Sequence, residues 1–254
     1  MRDFTLHIFR KLCILFHERD YKFLTFAEYC SNEIKGKFTI LRHDVDRKPE
    51  SALEMAILEN HLGIRASYYF RVVKASYDEA VIRKIAKMGH EIGYHYEDLV
   101  LAKGNAERAI TMFENNLKNF LQLYPVKTIC MHGSPLSRWD NRLLWQYYDY
   151  RNFGIIGEPY FDIDFNEIFY LTDTGRCWNG SNVNIRDKVK SKLHYNFKST
   201  FDIIEALNNN ELPNKIMINV HPHRWDDQLL PWLKELFWQN AKNVGKYIFV
   251  RLNK

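Results

Sequence analysis

The 254-residue chain carries 36 Lys plus Arg against 31 Asp plus Glu, a formal charge of +5, with 46% hydrophobic and 15% aromatic residues. That aromatic content and mild charge exclude a disordered chain, and only 11 Gly and 7 Pro exclude collagen-like or low-complexity sequence. No Lys/Arg block marks a nucleic-acid tail, and no apolar run reaches the roughly 18 residues that span a bilayer, so neither nucleic acid nor a membrane span is expected.

In chain order, Phe4, Ile8, Leu12 and Leu15 recur at helical spacing and predict an amphipathic helix packed on the outside of a domain. Arg10 and Lys11 break its apolar run and no small-residue cleavage site follows, so it reads as neither a span nor a signal peptide. Cys13, Cys30, Cys130 and Cys177 lie far apart without a CxxC pair; reduced thiols in a cytoplasmic protein are expected. Short β-forming segments follow at 38–41, 66–72, 91–95, 128–131, 168–171 and 216–220. Helical patterns alternate with them at 49–62, 77–88, 105–123 and 201–207, with Pro49 in a first turn and Gly63 and Gly89 at helix stops. This rhythm predicts a mainly parallel sheet with helices outside it, open or closed into a barrel. Residues 151–200 read as loops and short strands. With no linker or composition break, residues 1–254 read as one domain with an N-terminal helical extension.

In such folds the chemistry gathers where strands end. Arg42-His43-Asp44-Val45-Asp46 follows the first predicted strand, and alternation lets Asp44 and Asp46 share a face. Two close carboxylates repel until a metal or a proton relieves them, although Asp46 could equally cap the helix near Pro49. His90-Glu91-Ile92-Gly93-Tyr94-His95 is a second such end, with ligand-type His95 sharing a face with Glu91. Glu97 joins that face if the strand continues, and Asp98 does if a helix begins at His95. Asn219-Val220-His221-Pro222-His223-Arg224 is a third, where His221 and His223 alternate onto one side and suit acid–base work. His132 and Ser134 sit at a fourth, without the GxSxG spacing of a serine esterase. Asp173, Arg176 and Trp178 are possible wall residues.

Together these segments resemble the polysaccharide deacetylases of the NodB-homology, carbohydrate esterase 4 type, over about residues 38–225. They are most similar to a divergent bacterial subgroup associated with surface-polysaccharide (lipopolysaccharide) gene clusters. The resemblance implies a distorted parallel (β/α) barrel of about seven strands, TIM-barrel-like. It implies a metal-dependent hydrolase that removes an acetyl group from an N-acetylated sugar or polysaccharide precursor, with a divalent metal ion, zinc by choice. RHDVD looks like the family's paired aspartates, which makes Asp44 the general base and Asp46 a metal ligand. GHEIGYH is similar to GHEIGNH, making His95 a ligand, and INVHPH places the catalytic acid at His221. The family's second metal histidine is replaced by Leu99, so Asp98 is the first choice to complete the shell, ahead of Glu97 and His132. The Arg-Pro-Pro-Tyr segment is replaced by MHGSPLS, leaving Arg42, Arg71 or Arg176 to orient the base. Arg42, His132, Arg176, Trp178 and His223 are the expected substrate contacts. The alternatives are a carbohydrate-binding relative that has lost its metal, a hydrolase of another amide or ester, and an interaction scaffold.

Overall fold

Seven parallel strands form one sheet in the computed structural model, which describes residues 2–135, 137–178 and 186–252, the last seven as backbone alone. The elements run α1 (Leu6–Glu18), β1 (Lys22–Leu24), α2 (Phe26–Ser31), β2 (Phe38–Val45), α3 (Pro49–His61), β3 (Ser67–Phe70), α4 (Glu79–Lys87) and β4 (Glu91–Tyr96). They continue with α5 (Asp98–Leu101), α6 (Ala106–Leu121), β5 (Ile129–Met131), α7 (Pro159–Asp162), β6 (Phe169–Thr172), α8 (Thr200–Asn208), β7 (Lys215–Val220) and α9 (Leu229–Leu252). The strand order is β5-β4-β3-β2-β7-β6, with β1 paired to the start of β2. Among the described residues the edge strands β5 and β6 do not pair with each other, so the sheet is a curled half-barrel rather than a closed ring. The expected distorted (β/α) barrel is therefore present, left open on one side.

Local chemistry explains the element ends. Thr5 caps α1 by accepting from the Ile8 N–H at 3.2 Å, and Thr25 with Glu28 closes a capping box on α2. Pro49 opens α3 as predicted, and Gly63 (φ +70°) and Gly89 (φ +87°) follow α3 and α4 where a left-handed residue is needed. Within β4, a Cβ on Gly93 would collide with the Tyr69 ring across the β3–β4 pair, so glycine is required there.

Three strands outrun their predicted ends, β6 by one residue to Thr172. β2 continues to Val45 and β4 to Tyr96, every residue buried. Alternation along β2 then sends Arg42 and Asp44 to the inner face and His43 to the outer one. There His43 Nε2 lies 2.7 Å from Glu59 on α3, Tyr68 donates to the same carboxylate at 2.7 Å, and His90 contacts the Ala56 carbonyl at 3.1 Å. These two motif histidines hold α3 to the sheet. β1, α2 and α9 have no counterpart among the predicted elements. No helix among the described residues is long and apolar enough to cross a membrane.

Candidate metal centre and active site

All strands point the same way, so the ends of β2, β4, β5, β6 and β7 deliver their following residues to one edge of the sheet. Register fixes which ones meet: His95 pairs across to Cys130, Arg42 to Asn219, and Asn219 to Thr172. Asp46 lies at the middle of the resulting group. Its Oδ1 is 3.6 Å from His95 Nε2 and 3.5 Å from His132 Nε2, and its Oδ2 is 3.9 Å from His221 Nε2.

Each imidazole is held by its other nitrogen, which leaves Nε2 facing the aspartate. His95 Nδ1 is bound to the Cys130 carbonyl at 2.9 Å. His132 Nδ1 lies 3.2 Å from Glu97 Oε2, and Glu97 is itself gripped by Arg71 through two bonds of 2.8 and 2.9 Å. A carboxylate or carbonyl behind a histidine is how ligating imidazoles are usually oriented. Ligand atoms about 2.0–2.1 Å from a tetrahedral zinc sit about 3.3–3.5 Å from one another. Asp46 Oδ1 stands at about that spacing from both imidazoles, and the three donor atoms lie within 4.8 Å of one another. Two nitrogens and one oxygen, with room for a fourth position, is the donor set of a hydrolytic zinc site. A second grouping, Asp44, His95 and Cys130, shares His95. Cys130 is fully buried and burial pushes its thiol well up, which keeps it a poor ligand.

Electrostatics reinforce the centre. Burial alone would raise the Asp46 carboxyl, but the hydrogen bond to His95 and the nearby His132 and His221 hold it well below the usual range. Burial would lower His95, yet Asp44 and Asp46 overcome it and raise its proton affinity. Glu97 follows Asp46: burial opposes ionisation, and His132 with Arg71 prevails.

Asp44 stands beside this group, its Oδ2 4.0 Å from His95 Nε2. That oxygen accepts from Arg42 at 3.1 Å and from Asn219 at 3.0 Å, while Oδ1 has no protein partner. Arg42 is wholly buried beneath it and also reaches the hydroxyls of Tyr160 and Tyr170. On the far side, His221 Nδ1 lies 2.6 Å from Asp173 Oδ1. Asp173 accepts in addition from Arg224 at 2.7 Å, from the Trp225 indole at 2.8 Å and from the His221 N–H at 3.0 Å. Burial disfavours its charge, but Arg224 and His221 keep its carboxyl below the ordinary range. The groups open into a narrow cleft of about 80 Å³ that Ser134, Tyr160, Arg186 and Asp187 also line, smaller than the usual small-ligand cavity.

Asp44, Asp46, His95, His132 and His221 are thus brought together. Asp98 is not. Since β4 runs on to Tyr96, the helix starts at Asp98 rather than His95. The carboxylate then turns outward to take the Tyr94 hydroxyl at 2.8 Å and the Asn116 amide at 2.8 Å. Leu99 is buried in the hydrophobic core. Three expected substrate contacts also lie elsewhere. Arg176 donates to the Trp232 carbonyl at 3.0 Å and stacks on that ring, and Trp178 donates to Thr200 at 2.9 Å and packs on Phe4. His223 is buried against Glu235 of α9, 3.8 Å away. Arg42 lies under the cleft and bears on Asp44, and His132 stands among the ligand-type residues. Glu97 and Asp173, secondary in the sequence, prove to be the groups that orient histidines. Tyr160, Tyr170 and Asp187 carry no motif signal.

No family model matches the chain, and no curated protein does. Solved structures do. One is a mutant of a CE4 family pseudoenzyme with restored enzymatic activity, 11% identical over 84% of this chain and 65% of that one, with a TM-score of 0.44. A second is PdaA of Bacillus subtilis, a family 4 carbohydrate esterase, 11% identical over 95% and 90% with a TM-score of 0.40. The Xyl-CE4 domain of a multidomain xylanase from the hindgut metagenome of Trinervitermes trinervoides is 14% identical over 86% and 84%, with a TM-score of 0.39. The chain spans just under two thirds of the first of these. All three bear the carbohydrate esterase family 4 designation, the family that the motifs resemble.

Proposed function

We propose that this protein is a metal-dependent deacetylase that hydrolyses the acetamido group of an N-acetylated sugar, carried on a surface-polysaccharide precursor in the cytoplasm. The observation that carries the reading is Asp46 ringed by the Nε2 atoms of His95, His132 and His221, with Asp44 alongside. Asp46, His95 and His132 would hold the cation. A divalent ion such as zinc supplies a Lewis acid there, acidifying water and polarising the acetyl carbonyl.

The chain's own groups provide the proton traffic. Asp44, which lines the cleft and has no protein partner on Oδ1, takes the proton of the attacking water, while Arg42 and Asn219 fix Oδ2 and hold the carboxylate in one rotamer. His221, with Nδ1–H donated to Asp173, carries its transferable proton on Nε2. Asp173 holds the ring so that Nε2 faces the cleft. That proton goes to the departing sugar nitrogen as the C–N bond breaks, leaving acetate and a free amine. The depth of Asp44 and His95 below the cleft mouth keeps bulk water from competing at the reacting atoms.

The test is acetate release from a panel of N-acetylated oligosaccharides and nucleotide-linked N-acetylhexosamines by zinc-loaded protein. Release by the wild type, reduced at least about a hundredfold in Asp44→Asn, is expected. Release that survives Asp44→Asn unchanged would show that the assigned base is wrong.

A further inference from the structure

α9 is inside out. Its inward face carries Glu235 (5% exposed) and Gln239 (1%), while its outward face carries Leu230 (78%), Phe237 (70%), Trp238 (55%) and Val244 (60%). The outward residues recur at intervals of seven, one and six positions, which keeps them on one stripe of the helix together with exposed Ala241. Rotation cannot bury that stripe, because the polar face is pinned. Glu235 binds Arg47 at 2.6 Å, Asn243 donates to the Gly175 carbonyl at 2.8 Å, and the Trp232 carbonyl takes Arg176 at 3.0 Å. A contiguous apolar stripe held outward by a polar anchor marks a surface that something else covers.

Charge points to what covers it. Lys48 and Lys234 are exposed beside the groove that Phe237 and Trp238 form with the loop before α3, and the Lys242 ammonium lies 5.8 Å from the Trp238 ring. From 236 to 254 the sequence contains Lys242, Lys246, Arg251 and Lys254 and no Asp or Glu. Carboxylates other than Glu235 gather at the helix start, where Asp226, Asp227 and Glu50 surround Glu54. A helix with Trp, Phe and Leu on one side, flanked by cations and too short of apolar length to cross a bilayer, suits the interface of an anionic lipid layer. We propose that α9 is an interfacial anchor lying in the plane of an anionic lipid surface. Leu230, Phe237, Trp238 and Val244 enter the acyl boundary, and Lys48, Lys234 and Lys242 lie at the headgroups. A second copy of the chain is the rival occupant, since antiparallel pairing would set the acidic start of one helix against the basic end of the other. The anchor does not depend on the deacetylase reading.

The experiment is sedimentation of the full chain with vesicles of phosphatidylcholine alone and of phosphatidylcholine with phosphatidylglycerol, at low and high salt. Sedimentation equilibrium without lipid is run beside it. Anionic vesicles should bind the protein, and removing phosphatidylglycerol or raising salt should weaken partition about tenfold or more. The exposed pair Phe237→Ser and Trp238→Ser should lose a similar factor while keeping the wild-type circular dichroism, and Lys234→Glu should lose only the phosphatidylglycerol-dependent part. Protein that stays in solution with anionic vesicles overturns the proposal. A concentration-dependent dimer dispersed by the double variant would then assign the stripe to a second copy. Vesicle binding insensitive to salt and to both variants would place the lipid contact elsewhere, which also overturns it.

Discussion

Replacing Asp98 by Asn should stabilise the protein at neutral and alkaline pH without touching the metal centre. The carboxylate is fully buried, and burial pushes its pKa from 3.8 up to about 6 despite hydrogen bonds from Tyr94 and Asn116. A raised carboxyl pKa in the folded state means that folding binds a proton. The stability is whole below the unfolded value of 3.8 and declines as pH rises through about 6. At about 1.36 kcal/mol per unit, the ionised group costs the fold about 3 kcal/mol at pH 8. Asparagine keeps an acceptor for Tyr94 and Asn116 and carries no charge, at a loss of about 1 kcal/mol for poorer hydrogen bonding. The net expectation is a gain of about 2 kcal/mol at pH 8 that shrinks to zero or reverses near pH 4. Urea unfolding of wild type and Asp98→Asn across that range measures it. Equal destabilisation at both ends would refute the burial argument, and a loss of zinc affinity in the variant would return Asp98 to the ligand shell.

Leu99→His should not tighten metal binding, because Leu99 packs in the hydrophobic core and does not line the cleft; thermal unfolding should show it destabilised by about 2–4 kcal/mol. Asp173→Asn should lower kcat about a hundredfold or more with little change in KM, since it removes the carboxylate that orients His221. Zinc affinity followed against pH should fall as histidine protons compete, and the fall should begin above the pH expected for an ordinary imidazole. Burial works against protonation of His95, but Asp44 and Asp46 raise it.

Much of the fold is legible from periodicity because the strands are short, apolar and followed by helices with ordinary caps and glycine stops. β1 and α2 hide in residues 22–31, where three-residue and six-residue elements are too short to show a period. α9 hides for the opposite reason: Leu230, Phe237, Trp238 and Val244 face out while Glu235 and Gln239 face in, so the pattern departs from the usual rule. At the site, strand alternation from Arg42 to Asp46 and from Glu91 to His95 places the right residues on the inner face. What fails is anything that depends on where a strand stops. β4 ending at Tyr96 rather than His95 moves Asp98 out of the centre, and His132, one residue past β5, takes the position beside Asp46. Arg176, Trp178 and His223 turn toward α1, α8 and α9, and no local signal in the chain tells a loop residue which neighbour will claim it.

The most direct test is a calorimetric titration of zinc into metal-free wild type, Asp46→Ala and His132→Ala. One zinc should bind per wild-type chain, and each substitution, by removing a third of the donors, should weaken binding about tenfold to a hundredfold or abolish it. Wild-type protein that takes up no zinc, or variants that bind as tightly as the wild type, would contradict a metal centre built from Asp46, His95 and His132.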